Sequence, residues 1–166
     1  MLAVERAYLR SSPAWPQHPA PMDTEQRQAV RLLLDGVVVT QYLIRLSWPD
    51  KDLWQNRRPH WRDARRAARA ARKEAWAVAK GQSITTIPNA TLKFSFHPPN
   101  KIRRDIQNVP ATMKAAIDGI ADAMGCDDNG FRPEFPSEFS DVVKGGCVLI
   151  HVIPPVVSVP LVGEIS

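Results

Sequence analysis

The pattern of apolar and polar residues predicts four extended segments. Val37–Trp48 alternates and is rich in β-branched residues, which is typical of a strand. Thr91–Phe96 predicts a second strand, because a His-Pro-Pro-Asn sequence follows and stops it. Further on, Phe131–Phe135 precedes a loop, and Cys147–Ile153 is a continuous apolar run after two glycines. With the helices, these segments give the order strand, helix, strand, helix, strand, strand.

Three other segments have the helical period. A short helix is predicted from the capping residues at 23–25 to about Asp35, with Gly36 as its stop. Alanine and arginine recur over residues 59–80, which predicts a longer helix. A third helix is predicted over Val109–Met124, with Asn108 as its N-cap. A glycine follows each of the two longer helices, as expected at a helix end.

These elements divide the chain into three parts. Residues 1–36 are predicted to be an N-terminal extension, a proline-rich arm followed by the short helix. Residues 37–155 form one folded domain, and residues 156–166 form a C-terminal tail. Hydrophobic residues make up 44% of the 166 residues, which is enough for a core of ordinary size. The predicted fold class is α+β, with a small mixed sheet and two main helices.

Charge and cysteine content narrow the function. The net charge is +5 and the pI is about 9.6, which favours a polyanionic partner. The two cysteines are too few for a disulfide framework or a thiolate zinc site. The sequence has no apolar run of the ~18 residues that a membrane span needs. We therefore expect a cytoplasmic protein without a membrane partner.

Positive charge is concentrated on the second predicted helix. Residues 57–80 contain nine of the 22 basic residues and two acidic ones. Their net charge of +7 leaves the rest of the chain at −2. The arginines expected to follow a phosphate backbone are Arg57, Arg58, Arg62, Arg65, Arg69 and Arg72. A solvated helix face is the alternative, but the one-sided charge and the preference for arginine favour salt-dependent nucleic-acid binding.

Carboxylates gather on both sides of the third predicted helix. Asp105 precedes this helix, and Asp127 and Asp128 follow it in an Asp-Asp-Asn-Gly sequence. Mg²⁺ prefers hard oxygen ligands, so Asp105 with either later aspartate would suit a metal site. Each piece also has a structural explanation. Asp-Asp-Asn-Gly is typical of a turn, and Asp105 or Asn108 could cap a helix.

The third helix has an apolar stripe and a polar stripe at 100° per residue. The apolar positions are Val109, Met113, Ala116, Ile117, Ile120 and Met124. Lys114, Asp118 and Asp122 follow the adjacent polar stripe, one turn apart. Lysine before aspartate is the less favourable order for an i,i+4 ion pair. Helix stability by itself therefore does not explain these polar residues.

The run from Arg103 to Asp128 resembles the RusA family of Holliday-junction endonucleases. The residues that carry the resemblance are His97-Pro98-Pro99, Arg103-Arg104-Asp105-x-x-Asn108, Lys114, Asp118-Gly119, Asp122-Ala123-Met124-Gly125 and Asp127-Asp128. Leu46-Ser47-Trp48-Pro49, followed by Asn56-Arg57-Arg58, is similar to the first strand of the family and its adjoining loop. The resemblance covers residues 40–153 and is most specific in the central run.

The resemblance implies a small α+β homodimer that binds four-way DNA junctions and cuts paired strands with Mg²⁺. Asp105 and Asp128 would hold the metal, with Asp127 and Gln107 in support. Lys114 would stabilise the charge that develops in the transition state. The remaining positions implied as supporting residues or DNA contacts are Asn108, Asp118, Arg103 and Arg104.

Gln107 departs from the family pattern, which has a second aspartate at this place. A carboxamide oxygen can bind a hard cation but brings no charge, so metal binding would be weaker. Two other functions therefore stay open. One is a junction-binding protein on the same fold that does not cut DNA. The other is a basic RNA-binding or interaction module.

The two proposed metal ligands present a distance problem. A helix over Val109–Met124 spans roughly 24 Å and separates Asp105 from Asp128. A short loop cannot return that far, since extended chain covers at most ~3.6 Å per residue. We therefore predict a dimer with antiparallel helices, in which Asp105 lies beside the partner's Asp128. The apolar stripe would form this contact or pack on the chain's own sheet; without a shared site, Asp128 must fold back along its own helix.

Overall fold

A five-stranded mixed sheet carries the part of the chain that the computed structural model describes, residues 29–34 and 37–155. The strands are β1 (Ala29–Leu34), β2 (Val37–Ser47), β3 (Thr91–His97), β4 (Arg132–Glu134) and β5 (Cys147–Ile153). Their order in the sheet is β1-β2-β5-β3-β4. All neighbouring strands are antiparallel except β3 and β4, which are parallel. The sheet is therefore mixed, as predicted.

In chain order, the described helices come between these strands. They are α1 (Trp61–Gly81), α2 (Val109–Thr112) and α3 (Lys114–Met124). Short 3₁₀ turns occur at Lys51–Leu53, Gln55–Arg57, Ile106–Asn108 and Asp128–Gly130. The α+β class, the long basic helix and the strands predicted at residues 37–48, 91–96 and 147–153 are confirmed. No helix in the described residues is long and apolar enough to cross a membrane.

The short helix predicted to end at Asp35 is wrong over the residues that are described. Ala29–Leu34 is a strand whose residues pair with β2, from Ala29 opposite Tyr42 to Leu34 opposite Val37. Asp35-Gly36 lies between the two strands, and Asp-Gly between apolar runs is typical of a hairpin connection. The predicted arm in residues 1–22, the start of the predicted helix and the predicted tail at 156–166 lie outside the described residues.

One face of the sheet packs against α1 and α3 to form the main core. Alternate residues of the three central strands point to this face, as the two-residue period of a strand requires. The buried strand residues are Ile44, Leu46, Leu92, Phe94, Phe96, Val148, Ile150 and Val152. Ala75 and Val78 of α1 and Ile120 of α3 belong to the same core. Glu74 also ties α1 to the end of β2, because its carboxylate accepts from Ser47 N and Oγ at 2.8 Å.

The predicted third helix is two helices that meet at Met113. This residue ends α2 through a hydrogen bond from its N–H to Pro110 O, and its own carbonyl accepts from Ile117 N in α3. All six residues of the predicted apolar stripe are buried in the chain's own core. Of the two alternatives for the stripe, packing within the chain is the one observed. These side chains are therefore not available for a dimer contact.

Candidate functional site

An open depression beside α3 collects most of the charged side chains of the central run. The residues that line it are Arg72, Lys114, Asp118, Ala121, Asp122, Cys126, Asp127 and Asp128. They come from α1, from α3 and from the loop that follows α3. Gly125 ends α3 with a φ of 67°, a left-handed conformation that suits glycine. This reversal turns Asp127 and Asp128 back towards the helix they follow.

Lys114 lies between two carboxylates of this depression. Its Nζ donates to Asp118 Oδ1 at 2.7 Å and also donates to Asp128 Oδ2. These two hydrogen bonds, to Asp118 first and then to Asp128, raise the pKa of Lys114 to about 12. The hydrogen bond from Lys114 holds the pKa of Asp128 below its ordinary value. At neutral pH the ammonium and the Asp128 carboxylate are therefore both charged.

The contact between Lys114 and Asp128 shows the course of the chain after α3. Asp128 does fold back along its own helix, within one chain. From Lys114 to Met124, α3 has eleven residues and a length of about 16 Å. The reversal at Gly125 and the long lysine side chain cover the remaining gap. The shared site that pairs Asp105 with the partner's Asp128 stays a prediction.

Arg72 joins the basic helix to the depression. Its Nε donates to Asp122 Oδ2 at 2.7 Å, and its second guanidinium nitrogen donates to Asp122 Oδ1 at 3.0 Å. This two-point hydrogen bonding raises the pKa of Arg72 and lowers that of Asp122. In the sequence, Asp122 falls on the polar stripe of the third predicted helix and has no predicted function there. The phosphate contact of Arg72 stays a prediction, with the guanidinium here bound by Asp122.

The two helices approach each other closely at Gly119, next to this ion pair. A Cβ atom at Gly119 would overlap the carbonyl oxygen of Arg72 and would lie 3.2 Å from the Ala75 Cβ. Glycine is therefore required for the backbones to come this near. The close approach places the Arg72 side chain within reach of Asp122, which is one turn beyond Gly119.

Asp105 lies outside the lining of the depression. Its Oδ1 accepts from Gln107 N at 3.0 Å and its Oδ2 accepts from Asn108 Nδ2 at 2.9 Å, so it caps the 3₁₀ turn at Ile106–Asn108. The capping role that the sequence allowed for Asp105 is confirmed. Asn108 makes no side-chain cap to α2 and instead donates to Asp105.

The predicted metal ligands are not gathered around one point. Among the described residues, no group of three or more His, Cys, Asp or Glu side chains is placed to hold a metal ion. Asp127 Oδ1 accepts from Asn129 N at 2.9 Å, so the predicted turn at Asp-Asp-Asn-Gly is also confirmed. The depression nevertheless offers carboxylate oxygens, the donors that a hard cation such as Mg²⁺ prefers, although Asp118, Asp122 and Asp128 are paired here with Lys114 or Arg72. The candidate donors are Asp118, Asp122, Asp127 and Asp128.

The two arginines before Asp105 differ in their surroundings. Arg104 donates to Asn100 O at 3.0 Å, to Ile102 O at 2.8 Å and to Asn100 Oδ1 at 2.6 Å, and it lies over the Trp48 ring at 5.5 Å. It therefore organises its own loop, a role that sequence reasoning missed. Arg103 and Gln107 are exposed.

The outer face of α1 is exposed along its length. The exposed basic residues of this helix and of the 3₁₀ turn before it include Arg57, Arg58, Arg62, Arg65, Arg66, Arg69 and Lys73. Arg66 pairs with Asp63 at 3.0 Å. A dense positive surface therefore borders the depression through Arg72, with α1 carrying the positive charge and α3 and its loop the carboxylates.

Comparison with known proteins adds a relative without a described function. The chain matches no family model. Over 91 residues it is 40% identical to an uncharacterized protein of Xylella fastidiosa (strain Temecula1 / ATCC 700964). The match covers 52% of this chain and 60% of the Xylella protein, which is less than two thirds of that relative.

Proposed function

We propose that this protein is a RusA-like, Mg²⁺-dependent endodeoxyribonuclease that cuts four-way DNA junctions. The proposal rests on one observation. The strongly basic helix α1 contacts the carboxylate-lined depression through the Arg72–Asp122 pair. A metal-dependent nuclease uses both surfaces, because cations hold the phosphates next to carboxylates that bind the metal. The resemblance over residues 103–128 supplies the substrate and the homodimeric form, and the cytoplasmic location is proposed from composition.

The chain's own residues would bind and orient the DNA strand. Exposed arginines of α1 would donate to phosphates beside the depression, reading backbone shape more than base sequence. Lys114 is protonated at neutral pH, since its pKa is about 12, and it therefore acts as a cation and not as a general base. When the ammonium of Lys114 leaves Asp128, it would pair with a phosphate oxygen of the DNA.

The carboxylates of the depression would hold Mg²⁺. Asp127 and Asp128 are the candidates from the loop, and Asp118 and Asp122 are the candidates from α3. When bound, the metal supplies positive charge at the scissile phosphate and lowers the pKa of water. Asp105 belongs to this set through the resemblance alone, because its oxygens cap the neighbouring turn.

A junction-binding protein without cleavage activity is the second candidate. It is favoured by the position of Lys114, which already pairs with Asp118 and Asp128 and offsets one of their two charges. The neutral Gln107 supports the same alternative. Binding of single-stranded RNA as tight as that of junction DNA would point to the third candidate, an RNA-binding module.

Cleavage of a labelled four-way junction in the presence of Mg²⁺ tests the proposal. Asp128→Asn should abolish nicking and leave junction binding intact or slightly tighter, because it removes a metal ligand and a charge that repels phosphate. Asp141→Asn, which changes an exposed carboxylate outside the depression, is the matched control and should cut like the wild type.

Three results would separate the candidates. Near wild-type cutting by Asp128→Asn would show that Asp128 is not a ligand. Junction-selective binding by the wild type without any nicking would support the second candidate. Normal cutting by Asp105→Asn would remove Asp105 from the site and leave the depression as the remaining candidate.

A further inference from the structure

Two large aromatic side chains are exposed on the basic helix. Trp61, the first residue of α1, is 57% exposed, and Trp76 is 44% exposed. Burying a tryptophan is strongly favourable, so an open indole ring on a charged helix is unusual for a purely structural residue. These rings are therefore available to a ligand.

Trp61 lies within a cluster of cationic groups. The guanidinium carbon of Arg62 is 5.3 Å from the centre of the Trp61 ring, and that of Arg65 is 5.9 Å away. The ring of His60, which caps α1, lies at 5.8 Å from Trp61 and is tilted by 33°. Arg57 and Arg58 come from the turn just before the helix. An aromatic face surrounded by cations is the combination that binds a nucleobase together with its flanking phosphates.

Helix geometry relates Trp61 to the acidic depression. At 100° per residue, Arg65 and Arg72 lie within about 40° of Trp61 around the axis of α1. Arg72 is eleven positions from Trp61, which corresponds to about 16 Å along the helix. Arg72 itself contacts Asp122 of the depression. At about 3.4 Å per nucleotide in a duplex, a strand that passes the depression reaches Trp61 some five nucleotides away.

We propose that Trp61, flanked by Arg62 and Arg65, stacks on an unpaired nucleobase of branched DNA. The assignment to branched DNA rests on the proposed function, since branch points are where a nearly paired substrate exposes bases. Stacking is tolerant of base identity because every base has a π-face. Trp61 would therefore select an open branch over a fully paired duplex without selecting a sequence.

Two DNA probes of equal length test this inference. One is a fully paired duplex, and the other carries a few unpaired thymines at its centre. Fluorescence anisotropy with the full chain at fixed salt measures Kd for each probe. Trp61→Ala should weaken binding of the probe with unpaired thymines about tenfold and that of the paired duplex less than about twofold. Trp61→Phe should retain most of the preference, because it keeps an aromatic face.

Trp76→Ala is the matched control. Trp76 is an exposed tryptophan of the same helix, and within the described residues the guanidinium contacts to an α1 tryptophan are those on Trp61. Trp76→Ala should change the Kd of neither DNA probe by more than about twofold. Circular dichroism of each variant should match that of the wild type, since Trp61 is exposed at a helix end.

The outcomes separate this inference from the proposed function. Equal effects of Trp61→Ala on both probes, or none on either, would overturn the stacking role even if junctions are cut. Trp61→Ala could lose the preference for unpaired thymines while the wild type cuts no four-way junction. That result would support stacking and refute the nuclease. A wild-type chain that binds neither probe would overturn the stacking role, whereas the nuclease is tested separately with the four-way junction.

Discussion

Lys114 donates to Asp118 and Asp128 together, and this contact sets the protonation of the depression. Because Lys114 favours the ionised form of Asp128, the pKa of that carboxyl is lowered. A lowered pKa in the folded chain contributes stability above the ordinary carboxyl value of about 3.9 and loses it as the pH falls through the folded value. The raised pKa of Lys114 works oppositely: its contribution is present below about 10.4 and is lost as the pH rises through about 12.

Removing the lysine should therefore change the titration of Asp128. In Lys114→Gln we expect the pKa of Asp128 to rise towards the ordinary carboxyl value, as measured by carboxyl carbon chemical shifts across pH 2–6. Lys73→Gln, an exposed lysine of α1 outside the lining of the depression, is the control and should leave this titration unchanged. An unchanged Asp128 titration in Lys114→Gln would mean that the two side chains do not pair in solution.

Packing of α1 against α3 positions the whole site at the scale of elements. The close approach at Gly119 lets Arg72 reach Asp122, and α3 in turn carries Lys114 and Asp118. A wider separation of the helices would move the basic surface away from the depression. The small residues of α1 that face α3, such as Ala75, serve the same close packing.

A methyl group at Gly119 tests the importance of this approach. Gly119→Ala should lower the free energy of unfolding by about 2 kcal/mol or more, because the new Cβ overlaps backbone and not a flexible side-chain end. Urea denaturation measures the change. Gly81→Ala is the matched control, since a Cβ there has no heavy atom within 4 Å. Equal stability of the Gly119 and Gly81 variants would show that the helices can separate at little cost.

Charge separation is the main feature of the whole molecule. Residues 57–80 carry a net charge of +7 in a chain whose total is +5, so we expect this helix to dominate binding of the proposed DNA substrate. Each phosphate contact that a cation makes releases counterions and steepens the salt dependence of binding. The affinity for DNA should therefore depend on few residues, all on one side of the sheet.

Replacing two arginines of α1 should reduce this salt dependence. The double variant Arg65→Ala/Arg69→Ala should weaken junction binding and lower the slope of log K against log salt by up to about 2. Arg132→Ala/Lys144→Ala removes the same charge from exposed positions away from α1 and is the control. An identical slope for both double variants would mean that α1 is a solvated surface and that binding follows net charge alone.

Local periodicity was sufficient to predict much of the fold and the elements that surround the site. The bounds of α1, the positions of β2, β3 and β5, and the apolar stripe of residues 109–124 follow from patterns within a few turns of chain. The charge of α1 and the turn at Asp127–Gly130 are equally local. These features could be predicted because neighbouring residues decide them.

Contacts between distant residues were decided by the tertiary structure. Ala29–Leu34 is a strand because β2 offers a partner edge, although capping residues at 23–25 had favoured a helix there. The pairing of Arg72 with Asp122 joins residues 50 positions apart, and it depends on the close packing of two helices. Lys114 meets Asp128 because the chain reverses at Gly125 after α3, whereas Asp105 is held at its own turn. Such contacts depend on how elements pack, and packing is a property of the whole chain that no local pattern contains.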